Sequence, residues 1–329
     1  MPYQGSKNSI AKEIINLLPS AKHLYDLFGG GGAISHCASE SGKWEQVHYN
    51  ELNPVIAKGF TMAINGEFAN EKRWISRDEF LELKGIDPYA TLCFSFGASG
   101  NTYCYSRELE PLKKAYHYAV VYGEYIDNPL GVDLSLIGNV KGWRERRLAI
   151  RYIIMKKYEQ EGLLKRKGGH WHLNGDIIST LERLQDLRGL IRLEQLQSIS
   201  QANNLDQVQH LERMERLVEM KNSEPMMTSN LSYEQVNIQP NSTIYCDIPY
   251  KNTGCGHYEG FNHDKFYNWA LSQNQPVFIS EYSMPDDFVE VWQRKKTSRF
   301  ASGTSTKRTL EKIFIPRHQQ KDLPKLELF

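Results

Sequence analysis

LYDLFGGGGAISH, residues Leu24 to His36, sets four consecutive glycines between a strand-like segment and a helix-like one. The strand reads as HLYDLF, His23 to Phe28, and helical spacing of apolar residues resumes in AISHCAS after Gly32. Outward from this turn, Ile10 to Leu18 (IAKEIINLL) has apolar positions at helical intervals, QVHYNEL reads as a second strand and PVIAKGFTMAI as a second helix. Strand, glycine turn, helix and strand in that order open a parallel, doubly wound sheet, so an α/β, Rossmann-like fold is expected.

Glycines in that position lack a Cβ and let backbone amides approach a ligand closely, which implies a nucleotide-like ligand. Twenty residues after Gly31, at the end of the next strand, Glu51 stands where an acid can accept hydrogen bonds from ribose hydroxyls. A dinucleotide fingerprint asks for a third glycine where this chain has Ile34. S-adenosylmethionine, an adenosine with an amino-acid tail and no pyrophosphate, needs less, and Asp26 just before the turn would suit its ammonium group.

The alternation fades near Arg107, where helical segments rich in Tyr, Arg and Lys begin, and returns near Thr243 with STIYCDIPY, the helix FYNWALS, the strand PVFISEY and a closing TLEKIFI strand. This predicts one α/β catalytic domain, residues 1–106 and 225–329, interrupted by a mainly helical insert, 107–224. Within the insert, apolar residues recur every third position from Ile178 to Met220. A straight helix turns about 300° in three residues, so such a stripe would circle it. Two or three helices broken near Gly189 and Asn203, or a small leucine-rich solenoid, both fit the repeat.

Composition narrows the class. The chain has 329 residues, 40% hydrophobic and 24% charged, with no run approaching a membrane span. The start, MPYQGSKNS, shows neither a basic nor an apolar leader region, so a cytoplasmic location is expected. Five cysteines without C-x-x-C spacing argue against a disulfide framework and a zinc site, and His170 and His172 lack two further ligands, so no metal is expected. Net charge is only +1, but between Lys141 and Gly168 ten bases face three acids. Arg144, Arg146, Arg147, Lys165, Arg166 and Lys167 fall in that stretch, and Arg299, Lys307 and Arg308 in an acid-free stretch from Arg294 to Arg308. Both are candidates for holding a nucleic-acid backbone, against the plainer readings of a solvated helix face and a basic loop.

YCDIPY, Tyr245 to Tyr250, ends the returning strand with a carboxylate, an Ile-Pro bond and a ring. An amino group on a purine or pyrimidine is a poor nucleophile because its lone pair is delocalised. Two acceptors aimed at its N–H bonds localise that pair and stabilise the positive charge formed during attack on a sulfonium methyl. Asp247 supplies one acceptor and the Ile248 carbonyl the other, held extended by Pro249. Tyr250 offers a face on which the base can stack. His257, Tyr258, Phe261 and Phe266 follow, and could line the base pocket or pack the core.

YCDIPY resembles the D-P-P-Y motif of Dam-like adenine-specific DNA methyltransferases, and FGGGG resembles their F-x-G-x-G motif. YQGSK resembles the segment in which an aromatic and a lysine contact the cofactor, here Tyr3 and Lys7. YNELN resembles the ribose-binding motif, SFGASGNTYCYS a segment preceding the target-recognition region, and TSTKRTLEKIFI the closing strand. The departure is Ile248 where the family has proline. The resemblance implies methyl transfer from S-adenosylmethionine to the amino group of adenine in double-stranded DNA, by a monomer or weak dimer, in a phage, restriction or regulatory setting. It implies Asp247, Ile248, Pro249 and Tyr250 as catalytic residues and Tyr3, Lys7, Asp26, Phe28, Gly29, Gly31, Glu51 and Asp247 as cofactor contacts, with 107–224 the target-recognition insert. A cytosine amino group, RNA or a protein amide as acceptor, a nicotinamide-dependent oxidoreductase, and a DNA-binding protein with a lapsed active site remain the alternatives.

Overall fold

The computed structural model describes residues 1–3, 5–127, 133–138, 140–160, 162, 164–167, 170–173, 209–220, 226–251, 260–299 and 306–322. In chain order its strands are β1 (Ala21–Asp26), β2 (Trp44–Asn50), β3 (Leu164–Lys167), β4 (His170–Leu173), β5 (Met227–Ser229), β6 (Ser242–Asp247), β7 (Val277–Ser280), β8 (Phe288–Arg299) and β9 (Thr306–Pro316). The α-helices are α1 (Ala11–Leu17), α2 (Ala33–Ser41), α3 (Pro54–Ile64), α4 (Arg77–Leu83), α5 (Pro88–Phe94), α6 (Glu110–His117), α7 (Trp143–Gln160), α8 (Gln209–Glu219) and α9 (His263–Leu271). No helix among the described residues is long and apolar enough to cross a membrane. The chain divides into one unit of Met1–Gly66 with Glu219–Phe329 and a second of Glu67–Val218.

Seven strands of the first unit form a mixed sheet in the order β5-β2-β1-β6-β7-β9-β8. The first five of these pair parallel, whereas β9 joins β7 and β8 antiparallel. This is the Rossmann-like α/β sheet that the alternation predicts, with an antiparallel edge added. The sheet is buried on both sides, and the strands show it by alternation. Leu24, Tyr245, Phe278, Ile313 and Ile315 pack with α1 and α2, while Tyr25, Ile244, Cys246, Val277, Ile279 and Phe314 pack with Phe266, Tyr267 and Ala270 of α9. Chain direction makes the site: β2 lies on one side of β1 and β6 on the other, so the crevice at the carboxyl ends of β1 and β6 is a topological switch point.

Helix α3 starts where the sequence dictates. Asn53 caps it by accepting from the Val55 and Ile56 amides, and Pro54 occupies the first turn, where a missing N–H costs nothing. The strand that continues the pattern after α3 is β5, which comes only at Met227, so α4 and α5 have no sheet strand to flank and group with the second unit.

The second unit is held by aromatic packing. Trp74, Phe80, Tyr89, Phe94, Tyr103 and Tyr105 are buried, and Trp74 meets Phe94 edge-on at 5.5 Å between centroids. Through this core runs a hydrogen-bond chain. Tyr105 Oη lies 2.6 Å from His210 Nδ1, His210 Nε2 lies 2.8 Å from His117 Nδ1, and His117 Nε2 lies 2.9 Å from the Lys72 carbonyl. Two neutral imidazoles satisfy every link, and burial pushes both down, His117 to about 4. Strands β3 and β4 form an antiparallel ribbon. Residues 174–208, most of the three-residue repeat, lie outside the described residues, and Leu211, Met214 and Leu217 at its end are buried on α8.

Candidate active site

Three neighbouring strands, β2, β1 and β6, each lead into a carboxylate: Glu51 immediately after β2, Asp26 ending β1 and Asp247 ending β6. Asp26 is buried, its Oδ2 accepting from the Ser35 amide at 3.2 Å and the Ser35 hydroxyl at 2.6 Å. Its Oδ1 is buried with no hydrogen-bond partner among the described residues. Burial, with Asp247 and Glu51 adding negative charge, pushes the Asp26 carboxyl up to about 7 against the opposing bonds from Ser35. Glu51, also buried, bridges two loops: Oε2 accepts from the Gly30 amide and Oε1 from the Asn53 amide, both at 2.8 Å. Burial raises its carboxyl and those amides oppose the rise.

The glycines are demanded by the protein's own rings. A Cβ on Gly29 would lie 2.2 Å from the Tyr49 ring, on Gly30 2.7 Å from Tyr3, on Gly31 2.6 Å from Tyr3, and on Gly32 1.9 Å from Phe60. Tyr49 stacks on Phe60 at 3.8 Å and donates to the Gly30 carbonyl. Tyr3 thus lies against Gly30 and Gly31. Phe28 packs in an aromatic group with Tyr233, Phe261 and the fully buried Phe266, so these two later phenylalanines serve the core.

At the end of β6, Lys7 enters from the amino-terminal segment. Its ammonium lies 3.0 Å from Asp247 Oδ1, 3.2 Å from Glu311 Oε2 and 2.6 Å from Tyr250 Oη. Tyr250 donates to Glu311 Oε2 at 2.8 Å and meets the Tyr282 ring edge-on at 4.5 Å. Side-chain exposure is 6% for Lys7, 7% for Glu311 and 22% for Asp247, so of these three the aspartate is the one most open to a ligand. Burial lowers the Lys7 ammonium and the two carboxylates more than offset it, leaving it above the usual lysine range. Burial and the same carboxylates hold the Tyr250 phenol protonated.

The loop after Asp247 is pinned. His263 Nε2 lies 2.8 Å from the Pro249 carbonyl, and Glu281, directly after β7, accepts from the Lys251 amide at 2.9 Å and the Tyr282 amide at 2.6 Å. Ile248 is buried in the sheet core. Its peptide to Pro249 is trans, since no described peptide bond is cis.

Of this site, Lys7, Asp26, the glycine turn and Glu51 lie in a part of the chain that is similar to known proteins. Residues 3–129 match the family model of D12 class N6 adenine-specific DNA methyltransferases. The match spans 127 of the 329 residues, so the amino-terminal part of this chain is similar to the adenine-specific DNA methyltransferases. No curated protein gives a significant match to the chain.

Of the residues singled out in its sequence, Lys7, Asp247 and Tyr250 are in direct contact, and Asp26, Glu51 and Gly30 cluster one strand away. The basic candidates are dispersed. Arg146 donates to the Val120 and Val121 carbonyls and Arg147 pairs with Glu212, so both guanidinium groups are used inside the second unit. Arg144 lies on α7. Lys165, Arg166 and Lys167 are exposed on β3, opposite His172, Trp171 and His170 of β4. Arg299, Lys307 and Arg308 stand on the β8–β9 hairpin, where Arg299 pairs with Thr306, Ser298 with Lys307 and Thr297 with Arg308, so that stretch is largely strand and not loop. Sequence reasoning missed Glu311, Glu281 and His263. A signal for Glu311 exists, because it falls in phase with the inward Ile313 and Ile315 on a strand of period two. Glu281 directly follows a strand adjacent to the Asp247 strand, the place where α/β sheets put ligands.

Proposed function

We propose that this protein carries a methyl group from S-adenosylmethionine to the exocyclic amino group of adenine in duplex DNA, with the base turned out of the stack. The observation that supports this most is the convergence of Asp26, Glu51 and Asp247 at the carboxyl edge of adjacent strands, around a turn with no Cβ atoms. The residues present fit the cofactor: Asp26 Oδ1 is a buried acceptor with no partner among the described residues, suited to an ammonium, and each oxygen of Glu51 has a second lone pair for a ribose hydroxyl. When bound, S-adenosylmethionine supplies the electrophilic methyl group.

The chain's own residues do the remainder. Asp247 and the Ile248 carbonyl accept the two amino N–H bonds, which localises the nitrogen lone pair and stabilises charge developing there. Tyr250, its hydroxyl tied to Lys7 and Glu311, presents its ring to the base. The exposed β3 bases Lys165, Arg166 and Lys167 suit phosphate contacts, and the second unit is the candidate for target recognition. Asp247→Ala is expected to abolish methylation of DNA, read as labelled methyl incorporation followed by nucleoside analysis, while cofactor binding survives. Full turnover by that variant, or methyl label on a base other than adenine, defeats the assignment.

A further inference from the structure

We propose that Glu311, contributed by β9 from the far end of the chain, is a positioning residue for the methyl-transfer site: it divides the charge of Lys7 so that Asp247 remains a strong acceptor, and it sets the hydroxyl of Tyr250. The inference rests on the assignment of Asp247 as the acceptor of the adenine amino group.

The geometry leads to it directly. One ammonium sits between two carboxylates, 3.0 Å from Asp247 Oδ1 and 3.2 Å from Glu311 Oε2. A lysine paired with Asp247 alone would neutralise the carboxylate that must draw on the amine N–H bonds, and charge-assisted hydrogen bonds weaken as their acceptor is neutralised. With Glu311 present the cluster carries two negative charges against one positive, so the site retains net negative charge where the amine turns cationic. Glu311 also closes a ring of contacts. Lys7 donates to Tyr250 Oη, Tyr250 Oη donates to Glu311 Oε2, and Glu311 Oε2 faces Lys7 again. That ring fixes the phenol in one rotation and its plane with it, against the edge-on contact with Tyr282.

Glu311 arrives there by register. Strand β9 pairs with β7 through Ile279 with Phe314 and Ser280 with Ile313, which sets Glu311 just beyond the carboxyl end of β7, next to the strand carrying Asp247. A glutamate that is buried among inward-facing isoleucines yet ion-paired to the same lysine as Asp247 has a polar task at this spot.

Glu311→Gln separates the two roles, since the amide oxygen still accepts from Tyr250 but carries no charge, and Tyr250→Phe keeps the ring and loses the hydroxyl. Glu311→Gln is expected to lower kcat about 10- to 100-fold with KM for S-adenosylmethionine unchanged, and to move the acidic limb of the kcat–pH profile down by about one unit, as Lys7 settles fully on Asp247. Tyr250→Phe is expected to lower kcat without moving the limb. Calorimetric cofactor affinity and the melting temperature of each variant show whether the fold and cofactor site persist. A Glu311→Gln enzyme with wild-type kcat and pH limb overturns the proposal while leaving the assignment of Asp247 intact. An equal loss of kcat with an unmoved limb also overturns it, by reducing Glu311 to a structural part. Adenine methylation that survives Asp247→Ala removes the underlying assignment first, and is seen in a different variant.

Discussion

Asp26→Asn is the substitution whose outcome the structure constrains most tightly. The wild-type carboxyl titrates at about 7 in the folded protein because it is buried beside Asp247 and Glu51, and at about 3.8 when the chain is unfolded. A raised acid binds more protons in the folded state, so its contribution to stability is fully present below about pH 3.8 and is lost as pH climbs through about 7. The interval, at ~1.4 kcal/mol per pH unit, makes the whole effect ~4 kcal/mol, of which ~3 kcal/mol falls between pH 5 and pH 8. Asparagine cannot ionise, and its carbonyl still accepts from Ser35. The stability difference between variant and wild type should therefore shift in the variant's favour by ~3 kcal/mol from pH 5 to pH 8, whatever fixed penalty its unpartnered amide adds. Urea unfolding of the cofactor-free protein at the two pH values measures this, with the background titration of other groups cancelling between the two proteins. The same variant should bind S-adenosylmethionine at least 10-fold more weakly by calorimetry, since a charged hydrogen bond contributes roughly 1.5–3 kcal/mol. A stability gap independent of pH refutes the burial argument, and undiminished cofactor affinity refutes the assignment of Asp26 to the ammonium.

Two further outcomes follow from the packing. His117 titrates at about 4 in the fold against about 6.5 unfolded, so its lowered value stabilises the protein above pH 6.5 and that stability is lost as pH falls toward 4, by ~3 kcal/mol. His117→Gln should blunt this acid sensitivity in denaturant titrations at pH 7 and pH 4.5, and an unchanged sensitivity would place the cause elsewhere. Gly32→Ala puts a methyl 1.9 Å from the Phe60 ring at a backbone φ of +70°, and should destabilise the first unit by ~2–4 kcal/mol in thermal or chemical melts. A neutral result would mean that Phe60 can leave Tyr49 without cost.

The parallel part of the sheet was legible because local patterns there agree with the tertiary outcome. Pro54 to Ile64 reads as a helix from its cap and spacing and is one, and the glycine run falls between β1 and α2 as the turn chemistry requires. Asp247, Tyr250 and Lys7 were legible as a motif and meet in space. The edge strand β8 was not, since its second half, RKKTSR, is basic and its pairing with β9 is decided across the sheet. Glu311 hid for the opposite reason. An acid in a strand looks like a solvent-facing position until the register of β9 shows it turned inward beside Lys7. Arg146 and Arg147 show the limit of counting charge: a basic run contains groups that fasten helices together as well as groups that face water. The boundary at Glu67 escaped notice because nothing in composition marks where a helix stops having a strand to follow it.

The cluster of Lys7, Asp247, Tyr250 and Glu311 joins both extremities of the described chain. A ribosome delivers Lys7 before and Glu311 after the whole second unit, so the earliest-made member of the cluster must wait for that unit to be made before its final neighbour emerges. Contacts between such distant residues are also the slow ones to form. A nascent polypeptide in which β9 is not yet made therefore holds Lys7, Asp247 and Tyr250 without the carboxylate that links the first and last of them.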